Sequence, residues 1–400
     1  MSNILLIGFG PSAVFAYHTL APRLPETHRI VAVSATEAYW PIASLRAAVV
    51  PGWEEKVVAP VDKVLPSGSR HVLLERTSVV ELRVNSATLD NAHPEKGFEG
   101  TEVEFEFCII ATGTSYRFPC RPAPGAPLSS ILSSLRAQQA ALATSSSVLI
   151  LGGGPVGIEY AGEVAAYYDG STAARGRKRV VVVHPRERFL REEEGWRKAF
   201  GEKVEKQLKE LGVEVRLGRR VRESRGLESG KVEGEEREFE LDDGEKIKAD
   251  FIFLAHGLTP NSSFCASLSP SVLNSKNEIV TKPTLQVASD DGRYDHIFAI
   301  GDVNNFEESK VLQHACNHVP VMAHNLLALL SAKSAGQPMP AAPLKEYVLG
   351  SPKLGLSIGH EKGAAQIYGW VIGPWIMKWA KSKHLAVAHF DKTYNVAASA

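Results

Sequence analysis

The sequence predicts an α/β protein: two Rossmann-like domains, each a parallel sheet with crossover helices, and a small α+β domain at the C-terminus. Three observations carry this. The chain opens on "NILLIGFGPSAVFAYHTL", an apolar strand running into a glycine turn and then a helix. Residues 146–164, "SSVLILGGGPVGIEYAGEV", repeat that arrangement. Each unit is followed at βαβ distance by another apolar strand, "HRIVAVS" (28–34) and "VVVVHP" (180–185). A length of 400 residues with 44% apolar content is enough for two or three buried cores.

In chain order, a strand at 3–7 leads to Gly8, Gly10 and Ala13, a G-x-G-x-x-A turn, and a helix from Ser12 to about Leu20. The first glycine permits the tight turn and the second lets the backbone approach a pyrophosphate. The small third residue lets helix pack on strand. The helix start faces the phosphates with unpaired N–H groups. A carboxylate for ribose hydroxyls is expected at the end of the second strand; this one ends in Ser34, with Glu37 three residues on. From about 57 to 110 the pattern turns to alternation, which predicts antiparallel strands. The last of these ends at Ala111-Thr112-Gly113, and the proline-rich "FPCRPAPGAP" (118–127) marks a boundary.

The second unit runs from "SVLIL" through Gly152, Gly154 and Gly157 into a helix from about Val156. A helix at 196–212, the strand "VEVRLG", a charged alternating stretch at 236–250 and the strand "FIFLAHG" (251–257) follow. "HIFAIGD" (296–302) returns to the style of the first domain, ahead of a helix near 311–331 and a small-residue linker at 331–343. The expected division is 1–120 with 258–335 for the first nucleotide domain, 121–257 for the second and 336–400 for the C-terminal domain.

Lys plus Arg (45) balances Asp plus Glu (45), so no global field draws the chain to nucleic acid or anionic lipid. Cys108, Cys120, Cys265 and Cys316 form no C-x-x-C or C-x-x-x-x-C pair, which argues against a zinc knuckle or a redox dithiol. Strand-like residues from Asn3 leave no room for a secretory leader, and no run of 18 apolar residues exists; an intracellular chain without a spanning helix is expected. Two dinucleotide folds in one chain fit a tightly held flavin and a diffusing nicotinamide.

The order G-x-G-x-x-A, A-T-G, G-G-G-P-V-G-I-E, G-L-T-P-N and "FAIGD" resembles the two-dinucleotide FAD oxidoreductases related to pyridine nucleotide-disulfide reductases. Within that group, "SLRAAVVPGW" (44–53), "GDVNNFEESKVLQHACNH" (301–318) and "GWVIGPWIMKWAKSKHL" (369–385) resemble the apoptosis-inducing-factor-like branch that contains ferroptosis suppressor protein. The resemblance implies that Gly8, Gly10, Pro11, Ser12 and Ala13 contact FAD pyrophosphate, with Val80, Ala111 and Gly301 also at the cofactor. It places Arg46 beside the phosphates or flavin, Thr112 and Gly113 over the cofactor, and Asp302 on the ribitol. Asp302 at a strand's C-terminal end is also placed to accept a hydroxyl's hydrogen bond, the alternative being a turn-forming Gly-Asp pair.

Lys310 is implied at the flavin's polar edge, where a cation stabilises incoming negative charge; a solvated lysine is the alternative. For NADH or NADPH, the resemblance implies Gly152, Gly154, Pro155, Val156, Gly157 and Gly257, with Glu159 pointing toward the nicotinamide rather than merely serving the helix dipole. The second strand ends in His184, followed by Arg186 and Arg188. Lacking a carboxylate there, the chain is expected to accept NADPH as well as NADH, unless "HPRERFLREEE" is only a solvated charged loop.

"YWPIASLRAA" (39–48), where disulfide reductases carry their paired cysteine, contains none, so electrons must leave the flavin directly for a quinone, oxygen or a docked redox protein. Tyr368, Val371, Ile372, Trp375, Ile376 and Trp379 recur at helical spacing, with a helix start at Gly373-Pro374. Such a Trp-rich segment with lysines fits a membrane interface, or packing on its own protein or a second copy in a homodimer. The resemblance implies quinone reduction at a membrane surface; the Met1-Ser2 start differs from lipid-anchored members, because myristoylation needs glycine at the second position. The rival readings are a reductase for an iron–sulfur or rubredoxin-like partner and a death-signalling flavoprotein touching nucleic acid. Only "ARGRKR" (174–179) supports the latter.

Overall fold

The computed structural model describes residues 1–172, 175–232, 234, 236–337 and 342–395. Its first sheet is built on β1 (Ser2–Ile7), which runs into α1 (Pro11–Leu20) and returns parallel as β2 (His28–Ser34). The short pair β3 (Ala38–Tyr39) and β4 (Val58–Ala59) brackets α2 (Pro41–Ala47). The edge strand β5 (Val72–Glu75) then pairs parallel with β2. An antiparallel meander follows, β6 (Val79–Leu82), β7 (Ser86–Leu89) and β8 (Glu102–Glu104), before β9 (Phe107–Ile110) lies parallel to β1.

The alternation between 57 and 110 therefore divides. β6 to β8 are antiparallel as expected, but β5 and β9 belong to the parallel sheet. All four residues of β9 are buried, as a strand covered by helices on one face and the meander on the other must be.

β10 (Thr114–Ser115) leads through the proline-rich link to α3 (Leu128–Ala143), a helix the sequence reading did not identify. The second sheet starts at β11 (Ser147–Leu151), followed by α4 (Pro155–Tyr167), β12 (Arg179–His184), α5 (Lys198–Glu210) and β13 (Glu214–Leu217). β14 (Gly230–Lys231) forms one edge, the hairpin β15 (Arg237–Glu240) and β16 (Lys246–Ala249) covers a face, and β17 (Phe251–Leu254) completes the sheet. Its order is β13-β12-β11-β17-β14, with only β14 antiparallel. β18 (Thr259–Pro260) pairs antiparallel with β10, tying the crossing points between the two units, and β19 (Ile297–Ala299) joins β9 at the edge of the first sheet.

α6 (Leu312–Ser334) packs on α1 and runs further than expected. Part of the linker after it, residues 338–341, lies outside the described residues, as do Ala174 and the last five residues. The C-terminal unit is an antiparallel sheet, β20 (Leu354–Ile358), β21 (Lys362–Ile367) and β22 (Trp370–Ile372), followed by α7 (Pro374–Met377), a π-helical turn over Lys378–Ser382 and α8 (Val387–Thr393). The expected helical stripe from Tyr368 to Trp379 is corrected here. Tyr368 and Gly369 form a hairpin turn with φ of +49° and +77° and Trp370–Ile372 is strand, whereas the helix starts at Pro374 with Gly373 before it, as expected.

Candidate functional site

The first glycine turn is shaped by backbone contacts. The Gly8 amide donates to Val33 O at 2.9 Å and the Ala111 amide to Ile7 O at 2.8 Å. Gly8 has φ +88°, and a Cβ there would lie 2.7 Å from Ala111 O, so only glycine fits. At Gly10 a Cβ would meet nothing within 4 Å, leaving the approach to the helix start open. α1 begins with Pro11 at its first turn and carries no acidic residue there, so Ser12 and Ala13 present amides to an anion without competition. A phosphate fits this cradle.

Around it, Thr112 Oγ1 donates to Asn261 O at 2.6 Å, Asn261 Nδ2 donates to Thr112 O at 3.0 Å, and the Asn261 amide donates to Gly113 O at 3.0 Å. Arg121 Nη1 donates to Thr112 O at 3.1 Å and Thr114 O at 2.6 Å. Gly301 is wedged between α6 and α1: a Cβ would lie 3.2 Å from the Ala315 side chain and 3.6 Å from Ser12 Oγ. Its amide donates to His318 Nδ1 at 2.9 Å, which fixes His318 with its proton on Nε2, donating to Glu308 at 2.8 Å. Glu308 also accepts from the Tyr347 hydroxyl at 2.9 Å.

Asp302, next in the chain, makes no hydrogen bond or ion pair with a described residue. Burial raises its pKa, opposed first by the charge of Lys310. An acceptor held without a partner beside an anion cradle suits a polyhydroxy ligand. Lys310 donates to Asn304 O at 2.5 Å and pairs with Glu278 at 3.3 Å, so its charge reaches Asp302 while its protons are engaged elsewhere. Val80 stands 54% exposed on β6, outside the turn.

Arg46 is corrected. It is 2% exposed, its Nε and Nη2 donate to Glu163 of α4 at 2.8 and 2.7 Å, and its guanidinium lies over Trp53 at 4.7 Å. The group expected at the phosphates is instead a buried tie between α2 and α4, because those helices pack face to face. Burial pushes the Glu163 carboxyl up and Arg46 pulls against it.

The second turn repeats the first. The Gly152 amide donates to Val183 O at 2.9 Å, its φ is +118°, and a Cβ would sit 2.9 Å from Ala255 O. A Cβ at Gly157 would fall 1.9 Å from Gly152 O, while at Gly154 it would meet nothing. Pro155 starts α4, Val156 packs partly buried behind it, and again no acidic residue occupies the first turn. Gly257 turns the chain after β17 with φ +96°.

His184 does not extend toward a nucleotide. Its Nδ1 accepts from the Gly153 amide at 3.0 Å, and burial, aided by Arg186, lowers its pKa to about 4. It is a neutral brace for the glycine turn. Arg186 pairs with Glu194 at 3.2 Å and Arg188 with Glu192, so this loop's own carboxylates occupy both arginines.

Glu159 also differs from expectation. Its Oε1 accepts from Lys381 Nζ at 2.7 Å, the Ser357 amide at 2.9 Å and Ser357 Oγ at 3.1 Å. The carboxylate expected to point toward a nicotinamide holds the C-terminal unit, since β20 packs on α4. It still faces the junction: burial first, and Glu159 second, raise the Cys120 thiol to about 12.

Sequence reasoning missed Arg121, Asn261, His318 and Glu308 as organisers of the first cradle. Asn261 and the two α6-side residues lie within quoted motifs, but nothing local showed their partners.

A model of the family described as pyridine nucleotide-disulphide oxidoreductase matches residues 2–323. Apoptosis-inducing factor homolog A of Dictyostelium discoideum is 25% identical, over 98% of this chain and 92% of its own. Fe-regulated protein 8 of Mycosarcoma maydis is 29% identical over 91% and 88%, and ferroptosis suppressor protein 1 of Mus musculus 26% over 88% and 85%. Among solved structures, the sulfide:quinone oxidoreductase of Aquifex aeolicus superposes with a TM-score of 0.71 at 16% identity, covering 99% of this chain and 92% of that one. The fold is that of such flavin- and nicotinamide-dependent enzymes, FAD is the cofactor, and NAD(P)H is the co-substrate. With two matched cradles and a family model spanning both, the chain belongs to the pyridine nucleotide-disulphide oxidoreductase family.

Proposed function

We propose that this FAD-dependent NAD(P)H oxidoreductase reduces a quinone-type acceptor at a membrane surface. The overall reaction is NAD(P)H plus a proton plus quinone giving NAD(P)+ and hydroquinone. Bound FAD supplies the two-electron exchange between nicotinamide and acceptor. The first cradle holds pyrophosphate on the α1 amides, and Asp302 accepts a ribityl hydroxyl. The second cradle, open at Gly154, admits the nicotinamide nucleotide.

No thiol relay serves this chain. All four cysteines are free, and burial raises the thiols of Cys120 and Cys316, to about 12 and about 11, far from the thiolate a relay needs. The observation that carries the acceptor class is an apolar patch. Trp370, Trp375 and Trp379 are 78%, 76% and 56% exposed, beside exposed Tyr368 and Ile376. Lys353 Nζ lies 4.0 Å from the Tyr368 ring centre and Lys383 Nζ 4.5 Å from that of Trp379, giving the aromatic-and-cationic character of an interfacial surface. Among the described residues no helix is long and apolar enough to cross a membrane.

Anaerobic stopped-flow tests both parts. After reduction by NADH or NADPH, a quinone should reoxidise the flavin at least about tenfold faster than oxygen or a rubredoxin-type protein. Anionic vesicles should co-sediment with the protein, and substituting the three tryptophans by alanine should abolish that while leaving NAD(P)H oxidation intact. Faster reoxidation by the redox protein defeats the quinone assignment. Dissociation of a dimer by the same substitutions, without loss of vesicle binding, defeats the membrane assignment.

A further inference from the structure

The aromatic patch of the C-terminal unit is bordered by cations that a different unit supplies. Two buried glutamines fix them there. Gln366 of β21 donates to Gly195 O at 2.9 Å and accepts from the Arg197 amide at 2.7 Å, so the loop entering α5 is held against the β21–β22 hairpin. Further along α5, Gln207 donates to Lys203 O at 3.2 Å and accepts from the Gly363 amide at 2.8 Å, which fastens the helix to the same strand. The two basic side chains so placed lie against glycines. A Cβ at Gly369, in the hairpin turn, would come 3.4 Å from Arg197 Nη2, and one at Gly373, ahead of α7, would come 3.5 Å from Lys203 Nζ. Exposed Trp370 follows the first glycine directly, and exposed Trp375 stands two residues after the second. With Lys353 over Tyr368 and Lys383 over Trp379, four cations border the exposed aromatic side chains.

These four are unlike the basic residues around them. Lys362 pairs with Glu210, Lys378 with Glu361, Lys198 with Glu202 and Lys209 with Glu205, whereas Arg197, Lys203, Lys353 and Lys383 make no ion pair with a described residue. The chain as a whole carries no net charge, so the local excess does not follow from composition. Unpaired cations around an exposed apolar patch fit a surface that is both apolar and negative. A bilayer with acidic headgroups is such a surface: indoles enter the interface, the stems of lysine and arginine lie along it, and their charged ends meet phosphate and carboxylate oxygens. A second copy of the chain fits less well. A two-fold interface sets one patch against itself, which would bring two unpaired sets of cations together.

We propose that Arg197 and Lys203 of the second nucleotide unit, with Lys353 and Lys383, form an acidic-phospholipid headgroup site that completes the tryptophan patch. The inference rests on the membrane reading above and deepens it: the tryptophans give depth, and the cations select the lipid. Because two of the cations come from the α5 segment and the indoles from the hairpin and the helical turns after it, docking holds the second and third units to the bilayer together.

The test is flotation of the full-length, FAD-loaded protein with vesicles of phosphatidylcholine, alone or mixed with phosphatidylserine. The unsubstituted protein should bind the mixed vesicles at least about a hundredfold more tightly, a preference that falls away at high salt. R197Q/K203Q should bind the mixed vesicles about thirtyfold more weakly, while keeping its affinity for phosphatidylcholine, its melting temperature and its rate of flavin reduction by NAD(P)H in solution. R197K/K203R, which preserves both charges, should bind as the unsubstituted protein does. Equal affinity of the unsubstituted protein for the two vesicle types, or an unaffected R197Q/K203Q, overturns the proposal and leaves the tryptophan patch as a membrane contact. Binding to neither vesicle type defeats the membrane reading itself, and this inference with it. Dissociation of a dimer by R197Q/K203Q overturns the proposal in favour of a second copy.

Discussion

The two glycine turns are near copies in backbone geometry and differ in what covers them. Both place a left-handed glycine against a strand carbonyl, Ala111 O for Gly8 and Ala255 O for Gly152, and both start their helix with proline and no acid. Beyond the first lie Arg121, which bonds the backbone carbonyls of Thr112 and Thr114, and Asp302, whose carboxylate bonds no described residue. Beyond the second the loop is self-satisfied: His184 braces Gly153, and Arg186 and Arg188 bond their own glutamates. A site that leaves protein groups waiting is built for a resident ligand. One that satisfies its own groups can release a visitor at little cost.

The largest effect should come from the tie that keeps the covering in place. Glu163→Leu strands the Arg46 guanidinium in a buried position and should cost about 3–5 kcal/mol in denaturant unfolding, whereas the double variant R46L/E163L should recover most of it. Equal losses in single and double variants would show that the pair is not what holds α2 to α4.

Next, Asp302→Ala should weaken FAD retention by about ten- to a hundredfold, the worth of a hydrogen bond to a charged acceptor, without altering NAD(P)H affinity. Normal flavin content in that variant would erase the distinction between the cradles on this point.

His184 sharpens the comparison through pH. Its folded-state pKa, about 4, lies below the ordinary 6.5, so the unfolded chain binds the proton more readily. The stability this contributes is present above pH 6.5 and is lost as pH falls from 6.5 to about 4, by about 3 kcal/mol. H184N, which can still accept from Gly153, should flatten the unfolding free energy across that window.

The smallest effect separates the nucleotides. G10A and G154A add a methyl group where no protein atom lies within 4 Å, so both should fold normally. G10A should loosen FAD about tenfold, while G154A should raise the KM for NAD(P)H by a similar factor and leave flavin content unchanged. A swap of those two phenotypes would reverse the assignment of the cradles.

What the sequence made legible was what is local. A glycine that must adopt positive φ beside a strand end leaves a mark at that position, and both turns were readable from it. Glu159 and Arg46 were recognised as important but misplaced, because their partners lie 222 and 117 residues away and no spacing rule reaches that far. α3 escaped notice because its buried Ile131, Leu135 and Leu142 are scattered among serines and alanines. The C-terminal hairpin misled for the opposite reason. Apolar residues at 368, 371, 372, 375, 376 and 379 imitate a helical period, although Gly369 and the β-branched Val371-Ile372 pair are signs of a turn and a strand.

The bidentate Arg46–Glu163 contact joins a helix of the first nucleotide unit to one of the second, and Lys381–Glu159 fastens the third unit to the same helix. Swinging the nucleotide units apart would have to break both contacts at once, and both converge on α4. That helix is therefore the pivot on which any rearrangement of the three units has to turn.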